Sequence, residues 1–228
     1  MKKNIFYILV FLVLTGCKTE KISLKFLNEF IVKDSLKFEN AIVGGISGID
    51  FYNNKYYMVV DDARNPRVLV GDILIKEDSI KSVKFEKTIP IKDTSNTFYT
   101  NNVLDLESIL IYNNQLNIVS EGSIRKGKNP SIFIADMSGG FQEEIVIPNY
   151  FEAKSKAKPK HNAAFESSSK SIDNKGFWAA MEAPLEVDGE EPTFHKTQSP
   201  ICITSFGNAT EKATQQCAYH VEKRDKPA

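Results

Sequence analysis

The sequence predicts an all-β protein, a partial β-propeller of about three blades. Three observations lead there. First, "GISGIDFYNNKYYMVVDDA", starting at Gly45, recurs as "DLESILIYNNQLNIVSEGS" from Asp105 and as "AFESSSKSIDNKGFWAAMEAP" from Ala164, with a period of about sixty residues. Second, each copy reads as a hairpin and is followed by further strand-like runs, giving about four strands per period, the composition of a propeller blade. Third, no long stretch sustains helical periodicity.

Taken in order, "MKKNIFYILVFLVLTGC" (1–17) is an export signal: a basic start at Lys2 and Lys3, an apolar run, and a small residue before a cysteine. That ending is similar to a bacterial lipoprotein cleavage site, with Cys17 as the lipidated first residue of the mature chain. An ordinary signal peptide or an uncleaved anchor is the alternative, although the run is short for a comfortable span. Residues 18–25 then form a tether, and 26–228 the propeller domain. The mature protein is expected to be exported and held on the bacterial cell envelope, at the outer membrane or the periplasmic face, by the Cys17 lipid. Removing Lys2 and Lys3 from the 29 basic residues leaves 27 against 29 acidic ones, so nucleic acid is not expected as a partner.

In the first copy, "GIDFY" and "KYYMVV" flank Asn53-Asn54, a pair that tolerates the positive φ of a tight two-residue turn. "RVLVGDILI" and "SVKFEKTI" follow as strands. In the second copy "SILIY" and "LNIVS" flank Asn113-Asn114, and "SIFIADM" comes next. Several of these runs are apolar on both faces, as strands sandwiched between sheets require. Between them, "SEGSIRKGKNPS" (120–131) nearly spells a phosphate-binding loop. Such a loop needs Ser or Thr after its lysine and then a helix, whose N-terminus binds the phosphate. Here Lys128 is followed by Asn129, Pro130 and another strand, so the likeness is accidental. "EAKSKAKPKHN" (152–162) reads as a solvated loop between blades, and His161, His195 and His220 as ordinary surface residues. "GGISG" approaches a serine-nucleophile motif, but Ile49 stands where its second glycine belongs, and Ser47 begins a strand. After the third hairpin, "SPICITSF" and "TQQCAYHV" form another. Export permits a disulfide, and Cys202 and Cys217 would face each other across that hairpin; two free, buried thiols are the alternative.

Strand register gives these hairpins a chemistry. Pairing Tyr112 with Gln115 puts Glu107 opposite Ser120, one step from Glu121. The same construction brings Asp61 and Asp62 beside Ser47, and Glu182 next to Glu166. Innermost strands ring a propeller's channel, so these acids converge at one end of it. Converging carboxylates repel, and a hard cation such as calcium or magnesium relieves them; hydrogen bonds that pin strand ends are the alternative role. Arg64, Arg125 and Lys126 sit on loops at the same end, where they would meet a small anionic ester substrate.

The stretches "GGISGIDF", "YYMVVDDAR", "DLESILIY", "IVSEGS", "PSIFIAD", "NAAFESSS" and "FWAAMEAPLEVDG" resemble the phytase-like family, described by the "esterase-like activity of phytase", over residues 44 to about 220. The resemblance implies a β-propeller and a calcium-dependent phosphoester hydrolase using a metal-activated water, with cationic side chains holding phosphate. It implies Asp61, Asp62, Asp105, Glu107, Glu121, Glu166 and Glu182 as metal carboxylates, with Glu107, Glu121 and Glu166 catalytic. A non-catalytic envelope binding module is the alternative function. Family members carry about twice as many blades, so the resemblance implies half of a six-bladed-like ring, and with it either a truncated member or a homodimer that closes the ring.

Overall fold

The computed structural model describes residues 23–99, 104–193, 195, 199–207 and 212–221. The export signal, Cys17 and most of the tether lie outside these residues. The chain opens with an extended strap that leads into a small hairpin, β1 (Lys37–Phe38) and β2 (Ala41–Ile42). Three four-stranded antiparallel sheets follow, each a simple up-and-down meander. The first blade is β3 (Ile46–Tyr52), β4 (Lys55–Val60), β5 (Arg67–Lys76) and β6 (Ser79–Pro90). The second is β7 (Leu106–Tyr112), β8 (Gln115–Ser120), β9 (Ser131–Ala135) and β10 (Phe141–Ile145). The third is β11 (Phe165–Lys170), β12 (Gly176–Met181), β13 (Pro200–Gly207) and β14 (Lys212–His220). Strand order within each sheet follows the chain, as in propeller blades.

Local chemistry fixes the hairpins. Asn53 and Asn54 have φ of 46° and 59°, and Asn113 and Asn114 of 50° and 60°, the left-handed pair that a tight hairpin turn demands and that asparagine tolerates. The near-match to a phosphate loop is a short 3-10 turn, Ile124–Lys126, leading straight into β9. Gly122, at φ 69°, presses against the carbonyl of Asn129, where no side chain would fit.

Blade-to-blade packing makes the core. Tyr57, Val59, Val68, Val70 and Ile89 of the first blade meet Leu106, Ile109, Ile111, Leu116 and Ile118 of the second. Leu110, Val119, Ile132 and Ile145 of the second meet Phe165, Phe177, Met181 and Phe206 of the third. β7 and β8 therefore bury both faces, which explains their unbroken apolar runs. Phe151, Phe165 and Phe206 are wholly buried, and each contributes about 2–3 kcal/mol of burial energy. The strap closes the first blade's outer face, where Val32, Leu36 and Phe38 cover Met58, Val60, Leu69 and Phe85. On the third blade's outer face, Trp178 and Ile203 stay partly exposed and Cys217 fully so.

The two cysteines do not face each other. Cys202 pairs with Ala218, and Cys217 with Ile203, one step out of register. Successive strand residues point to opposite faces, so Cys202 enters the core while Cys217 is exposed, and both thiols are free. The disulfide reading is corrected accordingly.

Side chains, rather than a backbone ladder, stitch the innermost strands β3, β7 and β11 together. Ser47 Oγ donates to the Leu106 carbonyl at 2.6 Å, and Ser108 Oγ and Ser168 Oγ lie 2.7 Å apart. Asp50 Oδ2 accepts the Ile111 amide at 2.6 Å and the Lys170 ammonium at 2.8 Å, so one carboxylate ties all three blades. Gly48 makes the approach possible: a Cβ there would lie 2.7 Å from the Ser108 Cα.

Candidate functional site

Each inner hairpin carries a β-bulge at the same place, and the bulges shape the site. Ile46 pairs with Val60 and Gly48 with Val59, leaving Ser47 as the extra residue. Leu106 pairs with Ser120 and Ser108 with Val119, leaving Glu107. Phe165 pairs with Met181 and Ser167 with Ala180, leaving Glu166. The simple register that set Glu107 opposite Ser120 is thus displaced by one residue; Ser120 faces Leu106. A bulge bends its strand and re-aims the extra side chain, here at the open end of the inner strands. The returning strands end beside them: Asp61 N donates to Gly45 O, Glu121 N to Asp105 O and Glu182 N to Ala164 O, one equivalent bond per blade.

Carboxylate oxygens of Asp61, Asp105 and Glu107 lie within 4.8 Å of one another, a spacing that lets all three reach one cation. Glu166 hydrogen-bonds to Glu107 and feels the charges of Glu182 and Glu121. Glu121 is buried, as is Glu107 at 8 % exposure, while Asp105 is half-buried and Asp61 exposed, so the cluster runs from the interior out to solvent. Six acids from three blades therefore share one region, as register predicted, though none of the four described ion pairs involves them.

The proton affinities follow. Burial, then the neighbouring Asp61 carboxyl, pushes Asp105 up to about 8. Burial, then the Glu166 charge, pushes Glu107 up to about 9. Burial, then the Glu182 charge, pushes Glu166 up to about 7. Glu121 is raised as well, chiefly by burial, while the Ala164 amide pulls the other way. Protons thus hold the metal-free cluster together, and Glu107 and Glu166 share theirs as a pair.

A hard divalent cation fits this site. Asp105 Oδ1 and Glu121 Oε2 are buried oxygens without any hydrogen-bond partner, a costly arrangement that a cation would satisfy. The donors are all carboxylate oxygens, the set suited to calcium or magnesium rather than to softer metals.

Asp62 does not belong with the others. Its Oδ2 accepts Arg67 Nη1 at 2.9 Å, and Oδ1 takes the Arg64 amide at 3.3 Å. Arg67 is 3 % exposed, and a buried guanidinium requires its counter-charge, so Asp62 is corrected from metal ligand to structural partner. Ser47, hydrogen-bonded to a neighbouring blade, is a stitch and not a nucleophile.

Cationic side chains lie on the loops that follow the acids in the chain. Arg125, four residues after Glu121, lines a depression of about 490 Å³ with Lys158, Lys160, His161 and Glu186. Lys160 Nζ is fixed there by the carbonyls of Pro184 at 2.9 Å and Gly189 at 2.5 Å. Sequence reasoning missed Lys158, Lys160 and His161, because the connector's alternating lysines look like any solvated loop. Lys126 lies exposed on the same turn as Arg125. Arg64 lies apart from these, in a depression of about 380 Å³ with Pro66, Pro90 and Phe98.

Comparison with known proteins bears on the same stretch. A family model described as "Phytase-like: Esterase-like activity of phytase" matches residues 41–228, all three blades. No curated protein matches the chain.

Proposed function

The chain belongs to the phytase-like family, and from that premise, which suggests a hydrolase of phosphate esters, we propose a divalent-cation-dependent phosphoesterase tethered through Cys17 to the bacterial envelope. The observation that carries this reading is the cluster of Asp61, Asp105 and Glu107, whose oxygens lie within 4.8 Å of one another with buried, partnerless neighbours. Those three would hold the cation, calcium by preference, with Glu121 at its border. When bound, such an ion supplies Lewis-acid charge and lowers the pKa of a coordinated water.

The remaining work falls to the chain's own residues. Glu166 carries a carboxyl that titrates near neutrality, pushed up to about 7, and stands beside Glu107. It is the group to take a proton from the attacking water and return it to the leaving oxygen. Arg125, on the turn that follows Glu121, would neutralise the phosphate oxygens together with Lys158 and Lys160 of the same depression. Buried walls around Glu107 and Glu121 keep the local dielectric low, which strengthens each of these interactions.

The test is turnover of a panel of phosphate monoesters at neutral and alkaline pH, with calcium or with chelator, by the native protein and by Glu107→Gln. Hydrolysis should need the cation and vanish in the variant. Equal turnover in chelator would refute the cation, and turnover retained by Glu107→Gln would remove the site.

A further inference from the structure

The strap before the first blade has two halves with opposite habits. From Val32 onward its apolar side chains turn inward, and Val32, Leu36 and Phe38 pack on the blade. Between residues 24 and 31 they do the reverse. Leu24 is 98 % exposed, Phe26 78 %, Leu27 56 %, Phe30 39 % and Ile31 78 %. Five large apolar side chains within eight residues form a patch of a kind that marks a partner surface.

Topology says which way the patch faces. Asn28 Oδ1 accepts the Ile80 amide at 2.9 Å, and so fixes the strap to β6. Ile80 pairs with Ile75 at the β5–β6 turn, and Ile75 is itself 53 % exposed. That turn lies at the opposite end of the first blade from Asp61, because β5 runs away from the acids and β6 runs back. The strap then climbs along the blade, where Glu39 Oε2 accepts the Thr88 amide, and enters β3 at the acid end.

The third observation is covalent. Leu24 follows Cys17 by seven residues, a span of about 25 Å at full extension. If Cys17 carries lipid, the patch cannot stand far from the membrane. Lys25, Lys33 and Lys37 are exposed along the same segment, as are Glu29, Asp34 and Glu39, so its charges balance, and the long lysine stems can reach a polar boundary while apolar neighbours sit deeper.

We infer that Leu24, Phe26, Leu27, Phe30 and Ile31 form a bilayer-docking surface that beds the end of the blades opposite the acids on the membrane bearing the Cys17 lipid, so that the acidic cluster faces away from that membrane. The inference rests on reading Cys17 as the lipidated residue. A lipid chain alone is a flexible leash; a second, peptide contact with the acyl region converts it into a fixed orientation. The occupant is the acyl region of a phospholipid bilayer; a second copy of the chain is the competing one.

Trp178 is the chain's single tryptophan, so Trp178→Phe gives a silent background. In that background, Leu24→Trp and Phe26→Trp would each report on the patch, and Val187→Trp, at a position 64 % exposed on the loop that follows Glu182, on the acid end. The mature lipoprotein is reconstituted in phosphatidylethanolamine–phosphatidylglycerol vesicles, with or without bromine on the acyl chains. The Leu24→Trp and Phe26→Trp proteins are expected to lose about half of their emission to brominated lipid and to shift to the blue, as indoles just below the headgroups do, while the Val187→Trp protein does neither. Mass spectrometry of the same sample reads acylation of Cys17. Unquenched emission from both patch variants on an acylated protein overturns the docking and leaves the anchor standing. Absence of the acyl group overturns both. A blue shift without bromine quenching, together with a doubled mass in sedimentation, assigns the patch to a second copy and likewise overturns it.

Discussion

Acids stand toward both ends of the inner strands taken together, and the two ends treat them in opposite ways. At the far end Asp50 is fully engaged, accepting the Ile111 amide and the Lys170 ammonium, a pair formed across 120 residues of sequence. At the open end Asp61, Asp105, Glu107, Glu121, Glu166 and Glu182 gather without a cationic partner among the described residues, and two buried oxygens have no partner of any kind. Asp62 sharpens the contrast from within the open end, since it too is paired, with the buried Arg67. This chain therefore supplies partners to the acids that hold its blades. It withholds them from the six that converge, and the missing positive charge is the feature that a divalent ion would complete.

The largest effect is expected from breaking the orphan set. Glu107→Gln should lower calcium affinity by about 100-fold or more in calorimetric titration, since it removes a charged ligand from a site built on charge. The same change should leave the metal-free Tm unaltered at pH 7, because burial already keeps Glu107 protonated to about 9. A calcium affinity within threefold of the native protein would dissolve the distinction between the ends.

A smaller effect comes from pH. Asp105, Glu107 and Glu166 bind their protons up to about 8, 9 and 7 in the folded chain, against about 4 when unfolded. Between those values the native state holds more protons than the unfolded one, so stability falls as pH rises. Scanning calorimetry in chelator should show Tm declining by several degrees from pH 5 to pH 9. Saturating calcium should flatten or reverse the trend, because protons compete with the ion for the same oxygens. A Tm in chelator that climbs over this range would mean that the acids are paired after all.

At the other end, Lys170→Met leaves the Asp50 carboxylate with backbone amides alone. The expected cost is about 1–2 kcal/mol of stability by chemical denaturation, with calcium affinity unchanged; a shift in affinity would mean that the two ends are coupled. The smallest effect on the ion is expected from Asp62→Asn. It should change calcium affinity less than about twofold, while Arg67, left short of charge, costs about 1.5–3 kcal/mol, less than for a wholly buried pair because Asp62 is partly exposed.

Much of this was legible in the sequence because it is local. The Asn-Asn pairs, the alternating and doubly apolar strands and the period near sixty residues each express one blade, and the blades formed as expected. Convergence of the acids followed from equivalence between copies. What escaped depends on contacts between blades. The bulges at Ser47, Glu107 and Glu166 leave no mark in composition, since they arise where inner strands crowd around an axis. The Asp50–Lys170 pair joins blades that are not consecutive. Asp62 was grouped with the metal acids because its partner, Arg67, looked like the start of an ordinary strand; an arginine wedged between Pro66 and a run of valine and leucine was the available clue. The cysteines failed by a single step of register, which one-dimensional spacing cannot fix.

The meander within each blade also governs how the protein is made. Within each sheet every strand pairs only with its predecessor or successor in the chain, so most pairings close through short connections, the longer stretch between Met181 and Pro200 excepted, and little chain entropy is lost before they form. Blades can form one after another as the polypeptide is made, the later ones templated on finished neighbours. Asp61, Asp105 and Glu107 come together once the second blade has docked on the first, and the third then adds Glu166 and Glu182, so the ion ligands assemble before the proton-carrying carboxyl that stands beside them.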